Sequence, residues 1–203
     1  MQQPLFTREV RWFDRGEIPP ELQSWFDRLG EKQVQPPRVD LYLAGMDASV
    51  GIKLREGLLE IKPRLEDFGI QMFLTGVAGR VGNWSKWSFS LADGDWPGSE
   101  AAHWIPVEKV RQIFYFRFDH GEIALSKPGE IPESGGGLEL TAVSLAGEER
   151  WWTLGFEVIG PQEEQGEILT RLVRHVFDRQ SSPMLSVEKS LSYPEWLEEF
   201  APQ

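Results

Sequence analysis

Residues 38–64 read RVDLYLAGMDASVGIKLREGLLEIKPR, and this stretch decides the fold. Polar or charged residues alternate with apolar ones in it, so Asp40 and Tyr42 share one face of a strand while Val39 lies on the other. Glu56-Gly57 separates two such segments, a short link suited to an antiparallel hairpin. The stretch therefore predicts adjoining antiparallel strands with one charged face and one apolar face.

The same alternation recurs along most of the chain and predicts nine strands. They are expected at Thr7–Phe13, Val39–Ala44, Val50–Arg55, Leu59–Lys62, Trp84–Leu91, Val110–Phe118, Glu122–Ser126, Leu138–Leu145 and Trp151–Ile159. Short links at residues 119–121 and 146–148 again favour hairpins. We expect a mainly β (α+β) fold in one domain over residues 1–203, built from antiparallel strands.

Three segments have the apolar spacing or proline placement of helices. The first begins at Pro19-Pro20, places Leu22, Trp25, Phe26 and Leu29 on one stripe, and ends at Gly30. The second covers residues 162–179, with acidic residues near its start and basic ones near its end. We expect both to pack against the outside of the sheet. A short helix is predicted from Tyr193, and surface loops at residues 92–98 and 128–137.

Composition excludes several classes of function. The net charge of −11 disfavours a broad nucleic-acid or anionic membrane surface. The chain has no cysteine, which excludes disulfides, a thiol nucleophile and thiolate zinc sites. It lacks a signal-peptide pattern and a long apolar run, so we expect a cytoplasmic protein without a membrane partner. The oligomeric state stays open.

The charged strand faces allow two interpretations. An antiparallel sheet commonly exposes such a face to water around an apolar interior. In the other arrangement the charges line a tunnel and helices cover the apolar face. Arg and Lys converging from several strands could then hold a polyanion such as a triphosphate, and nearby carboxylates could bind Mg²⁺ or Mn²⁺.

Other sites of chemistry have weaker signals. The histidines at 103, 120 and 175 lack metal-ligand spacing, and no serine has the surroundings of a nucleophile. The segment GVAGRVG, residues 76–82, lacks the Lys-Ser/Thr of a P-loop. Its glycines predict a flexible loop over one mouth of the barrel, from which Arg80 could reach an anion.

The order of these motifs resembles the CYTH superfamily of triphosphate tunnel enzymes. That family has an E-x-E-x-K strand, a helix, a D-x-Y strand, an L-R-x-R-type strand and a strand ending in lysine. Asp40 and Tyr42 match the third feature, Lys53-Leu54-Arg55 the fourth and Leu59–Lys62 the fifth. A late Gly-Phe-Glu strand before an amphipathic helix, and residues 192–197, also resemble the family, so the resemblance spans most of the chain.

The resemblance implies an antiparallel barrel with a charged interior and flanking helices, which binds a triphosphate-bearing or other phosphorylated, anionic small molecule. The implied phosphate-binding residues are Arg11, Arg38, Lys53, Arg55, Lys62, Lys86 and Arg111, and the implied Mg²⁺ or Mn²⁺ ligands are Glu9, Glu60, Glu139 and Glu157. Two acids of the family pattern are absent, because Thr7 and Gly155 stand where glutamates would be. The pattern thus favours binding, with metal-dependent phosphohydrolysis of the triphosphatase type left open.

The alternative is a non-enzymatic barrel with an apolar interior that binds a hydrophobic ligand or a protein partner. It predicts that Ile52, Leu54, Leu59 and Ile61 point inward and that Lys53 and Arg55 are exposed. The two hypotheses differ in which face of residues 50–55 points into the barrel.

Overall fold

The computed structural model describes residues 3–91, 103–147, 149–177 and 183–201. Within these ranges the chain forms ten β strands and three α helices. The strands are β1 (Leu5–Arg15), β2 (Gln33–Val34), β3 (Arg38–Leu43), β4 (Val50–Arg55), β5 (Leu58–Leu74), β6 (Val77–Ser90), β7 (Trp104–Asp119), β8 (Glu122–Leu125), β9 (Gly135–Leu145) and β10 (Glu149–Ile159). The helices are α1 (Pro20–Asp27), α2 (Gln165–Phe177) and α3 (Tyr193–Phe200).

Eight of the strands close into an antiparallel barrel. Neighbours follow the order β7-β3-β4-β5-β6-β1-β10-β9, and β9 pairs again with β7. The short strands β2 and β8 also pair with β7. Closure pairs the backbone groups that an open sheet leaves at its edges, and eight strands enclose room for side chains or one small ligand. The predicted mainly β barrel is confirmed.

Three hairpin turns have positive φ at two successive residues. The φ values are 49° and 76° at Glu56-Gly57, 49° and 81° at His120-Gly121, and 52° and 76° at Ala146-Gly147. The two-residue turns at Glu56-Gly57 and His120-Gly121 match the right-handed twist of the strands that they join, whereas three residues, 146–148, separate the paired Leu145 and Glu149. The short links predicted from the sequence therefore connect β4 to β5, β7 to β8 and β9 to β10.

The larger apolar cluster lies between the barrel wall and the helices α1 and α2. On β1, Val10 and Trp12 belong to this cluster and alternate with Glu9 and Arg11. Trp25 of α1 stacks on Phe177 of α2 with ring centroids 5.2 Å apart. Both helices therefore cover the apolar outside of the barrel, as predicted, and α2 buries Ile168, Leu169, Leu172 and Val173 completely.

The third helix packs a second apolar cluster at one end of the barrel. Trp196 of α3 is fully buried and stacks on Phe13 with ring centroids 4.9 Å apart. A capping box begins this helix, because the Ser192 hydroxyl accepts from the Glu195 amide and the Glu195 carboxylate accepts from the Ser192 amide. The helix predicted from Tyr193 is confirmed, and through Trp196 it packs against Phe13 of β1.

The predicted flexible loop at residues 76–82 was wrong, because residues 77–82 belong to β6 and pair with β5 and β1. Gly79 packs closely under Val10 and Trp12, where a Cβ would lie 2.6 Å from a Val10 methyl. The lack of a side chain at Gly79 thus permits close packing against Val10 and Trp12. Of the two other predicted loops, residues 92–98 lie outside the described part of the chain, and residues 128–137 end in β9, which begins at Gly135.

The helices in the described part of the chain are all too short or too polar to cross a membrane.

Candidate functional site

A cavity inside the barrel brings together all eleven residues that the sequence analysis selected. Its volume, taken as the space that the centres of water molecules can occupy, is about 150 Å³. Alternation decides its lining, because residues two apart on a strand face the same side. The seven predicted phosphate-binding residues and the four predicted metal ligands all line it: Arg11, Arg38, Lys53, Arg55, Lys62, Lys86, Arg111, Glu9, Glu60, Glu139 and Glu157.

The cavity also contains charged residues that the sequence analysis did not select. Lys109 lies two residues before Arg111 on β7, but the predicted strand began one residue too late to include it. Arg64 follows the predicted end of the strand at Lys62, although β5 continues to Leu74. Asp67 and Glu195 complete this set, and Arg80, which was expected to reach an anion, also lines the cavity.

The cavity carries an excess of positive charge. Among the described residues ten arginines and lysines but only six aspartates and glutamates line it. Asp40 lies in the same cluster and is fully buried, which leaves an excess of three cations. Because the whole chain has a net charge of −11, this cavity is opposite in sign to the protein around it.

Asp40 is surrounded by three cations from three strands. Its carboxylate oxygens lie 3.1 Å from Arg38 Nε, 3.3 Å from Lys53 Nζ and 3.0 Å from Lys109 Nζ. Burial alone would raise the pKa of Asp40, but Lys109, Lys53 and Arg38 outweigh it and hold that pKa well below its usual range. Asp40 is therefore a carboxylate that orders the cations of β3, β4 and β7.

Glu139 plays the same part on β9, which flanks β7 on the side away from β3. Arg11 Nη1 lies 3.1 Å from one of its oxygens and Arg111 Nη1 lies 2.9 Å from the other, while the Thr141 hydroxyl donates to it at 2.9 Å. Burial alone would raise the pKa of Glu139, but Arg11 and Arg111 outweigh it and hold that pKa well below its usual range.

The two residues that replace family glutamates have clear local roles. Gly155 pairs with Arg11 across β1 and β10, and a Cβ at Gly155 would lie 2.7 Å from the guanidinium carbon of Arg11. The space of a side chain is therefore filled by the arginine that binds Glu139. Thr7 is buried and donates a hydrogen bond of 2.6 Å to Glu9, so it supports that carboxylate.

Lys62 lies between two facing carboxylates. Glu9 and Glu157 are directly opposite one another on β1 and β10. Lys62 Nζ contacts Glu9 and lies 3.7 Å from Glu157. The remaining selected acid, Glu60, lies 2.9 Å from Lys53 and 3.2 Å from Arg55. Each of the four predicted metal ligands therefore contacts at least one cation.

These acids already have cationic partners, which a divalent metal would have to displace. The described residues contain no group of three or more His, Cys, Asp or Glu side chains that could hold one. Mg²⁺ and Mn²⁺ prefer several oxygen ligands that can neutralise the ion, whereas Glu9, Glu60 and Glu139 are already neutralised by lysine or arginine. The predicted metal-binding roles stay predictions.

Lys86 and Arg80 are the two lining cations without an ion pair to a described carboxylate. The register of β5 and β6 pairs Ile61 with Trp87 and Arg64 with Trp84, which sets Lys62 opposite Lys86. Like charges directly opposite one another destabilise a sheet. Lys86 also forms no ion pair with any of the described side chains. Its ammonium lowers the pKa of Glu60 and of Glu157 from a distance, but it contacts neither carboxylate and can donate to an anion that enters the cavity.

The orientation of β4 separates the two interpretations of the sequence. Lys53 and Arg55 line the cavity, whereas Leu54 is 1 % exposed on the other face. The barrel thus has the charged interior that the resemblance implied, and Lys53 and Arg55 do not take the exposed positions of the apolar-interior alternative.

Comparison of the chain with family models and with curated proteins found no match in either. The fold and the cavity alone place the chain in a class, that of antiparallel eight-stranded barrels with a cationic interior.

Proposed function

We propose that this protein binds a polyanionic small molecule, of the triphosphate-bearing class, inside the barrel. The observation that carries the proposal is the sign of the charge. A chain with 32 acidic and 21 basic residues gathers ten of the basic ones around one cavity. Folding such cations together costs free energy unless anions neutralise them, and the six lining acids neutralise only part.

The cavity is suited to phosphate groups by its donors. Guanidinium groups form paired, charge-assisted hydrogen bonds with phosphate oxygens, and Arg11, Arg111 and Arg38 are each held in place by a carboxylate. Because these side chains are already ordered, less conformational entropy is lost when the ligand binds. Lys86 provides an unpaired ammonium for the first contact.

Resemblance to triphosphate tunnel enzymes supports the same ligand class, since the residues of its motifs share the inner face of the barrel. We propose that Mg²⁺ or Mn²⁺, where it takes part, enters together with the phosphate ligand, with Glu9 and Glu157 as the nearest facing pair of carboxylates. We derive no hydrolytic step, because Lys62 occupies the space between these two carboxylates.

Calorimetry with tripolyphosphate tests the proposal, with and without Mg²⁺ or Mn²⁺, together with a measurement of phosphate release. We expect binding without metal, and no binding of metal alone. Lys86→Gln should weaken the affinity at least about tenfold, since a hydrogen bond to a charged group contributes about 1.5–3 kcal/mol. The matched control is Lys127→Gln, an exposed lysine outside the cavity. Absence of tripolyphosphate binding under all these conditions would refute the proposal.

A further inference from the structure

Lys109 is the most deeply buried lysine of the cavity, and its amine has three neighbours. Its side chain is 4 % exposed. The Nζ atom lies 3.0 Å from Asp40 Oδ2, donates to the Tyr42 hydroxyl at 2.7 Å and lies 3.8 Å from the ring centre of Tyr193. It still reaches the cavity lining. A fixed lysine at such a position is available to a bound molecule.

Burial favours the neutral amine at Lys109, and Arg38 and Lys53 keep Asp40 ionised when Lys109 is neutral. Three cations share Asp40, and of these Arg38 cannot lose a proton. Lys53 is 20 % exposed and has a second carboxylate, Glu60, at 2.9 Å. Among the described residues, Asp40 is the carboxylate in contact with Lys109, since Glu139 on the adjoining strand contacts Arg11 and Arg111 instead. Burial lowers the pKa of Lys109 well below its ordinary value: with the charge of Lys53 it outweighs Asp40 and the more distant Glu139, which raise that pKa.

We infer that Lys109 is a nucleophilic amine that forms an imine with a small anionic aldehyde or 2-oxo acid. The inference rests on the proposed function, because the neighbouring cations that attract a polyanion would also hold the carboxylate of this molecule. Lysines that are desolvated or lie beside another cation are the ones that act as amine nucleophiles.

The atoms for this reaction are present at Lys109. The lone pair on Nζ attacks the carbonyl carbon, and the carbonyl oxygen takes a proton from the Tyr42 hydroxyl, which lies 2.7 Å from Nζ. The nitrogen then returns a proton to Tyr42. Loss of water, formed from the former carbonyl oxygen and two amine hydrogens, leaves the C=N bond without any change of oxidation state. Tyr42 therefore acts as the proton carrier.

Glyoxylate with borohydride reduction tests the inference on the whole protein, with peptide mass spectrometry to locate the reduced adduct. At neutral pH we expect Lys109 to be labelled at least about tenfold faster than the exposed Lys127, because each unit of pKa depression multiplies the neutral fraction about tenfold. Acetaldehyde, which is similar in size but uncharged, should label Lys109 more slowly. Tripolyphosphate should protect Lys109 and leave Lys127 reactive.

Two variants, Lys109→Arg and Tyr42→Phe, test the roles of the amine and of the proton carrier separately. Lys109→Arg keeps the positive charge and should remove the fast phase of labelling, whereas Lys127→Arg should keep it. Tyr42→Phe should slow labelling of Lys109 at least about tenfold, the lower range for a proton-transfer group. Equal labelling of Lys109 and Lys127, or equal rates with acetaldehyde and glyoxylate, would overturn the inference. If tripolyphosphate binds while Lys109 stays unlabelled, only this inference fails; if neither reagent reacts or binds, the proposed function fails as well.

Discussion

Replacing Asp40 with asparagine is expected to destabilise the protein by about 3 kcal/mol. Asp40 is fully buried, and Lys109, Arg38 and Lys53 beside it are 4 %, 16 % and 20 % exposed. Removing one partner of a buried ion pair costs about 3–5 kcal/mol, because the remaining charges stay desolvated. The lower end applies here, since Lys53 retains Glu60 and burial lets Lys109 lose its proton.

Urea unfolding followed by tryptophan fluorescence measures this change, since Trp12, Trp25 and Trp196 are fully or nearly fully buried. A loss of about 3 kcal/mol should lower the midpoint by roughly 1 M or more. The control is Asp47→Asn, because Asp47 is exposed and asparagine can also accept the hydrogen bond that the Ser49 amide donates. A change below about 1 kcal/mol in Asp40→Asn would refute the role of Asp40 as the centre of the cation cluster.

Three further outcomes follow from the same contacts. Asp40 and Glu139 have lowered pKa values in the folded state, so their contribution to stability is full above about pH 4–5 and falls as the pH drops further. The urea midpoint of the wild type, measured at pH 3–7, should therefore fall on acidification. Glu139→Gln already lacks one contribution, so its midpoint should be lower near pH 7 and should change less with pH. Gly155→Ala should cost about 1–3 kcal/mol, because its methyl must displace the Arg11 guanidinium, which Glu139 and Thr153 hold, and an unchanged melting temperature would contradict that packing. Thr7→Val should cost about 1 kcal/mol through loss of the bond to Glu9, while Thr7→Ser should retain most of it in the same urea assay.

Alternation along the strands was enough to predict which charged residues share a face. Glu9 with Arg11, Lys53 with Arg55 and Glu60 with Lys62 were grouped in this way, and each group lines the cavity. The prediction succeeded because the strand segments that carry these pairs are regular, so the period of two is kept within each segment. The hairpin at Glu56-Gly57 was predictable for the same reason, since its chemistry is local.

Irregular strands were harder to predict. The register of β5 with β6 shifts after Arg64, after Asp67 and after Met72, and each shift interrupts the alternation. The second half of β5 was therefore not recognised, and Arg64 was missed with it. The glycines of residues 76–82 favoured a loop, although Gly79 serves close contact with Val10 and Trp12, residues about 70 positions away in the chain.

The sequence by itself determined that this protein is mainly β, which residues share each strand face, and where the helices lie. Tertiary structure alone decided that the charged face is the inner one, that Asp40 and Glu139 each hold several cations, and that Lys109 joins them. The physical reason is that strand alternation depends on neighbours within one segment, whereas the side that faces inward depends on how the sheet closes and on which face α1 and α2 cover.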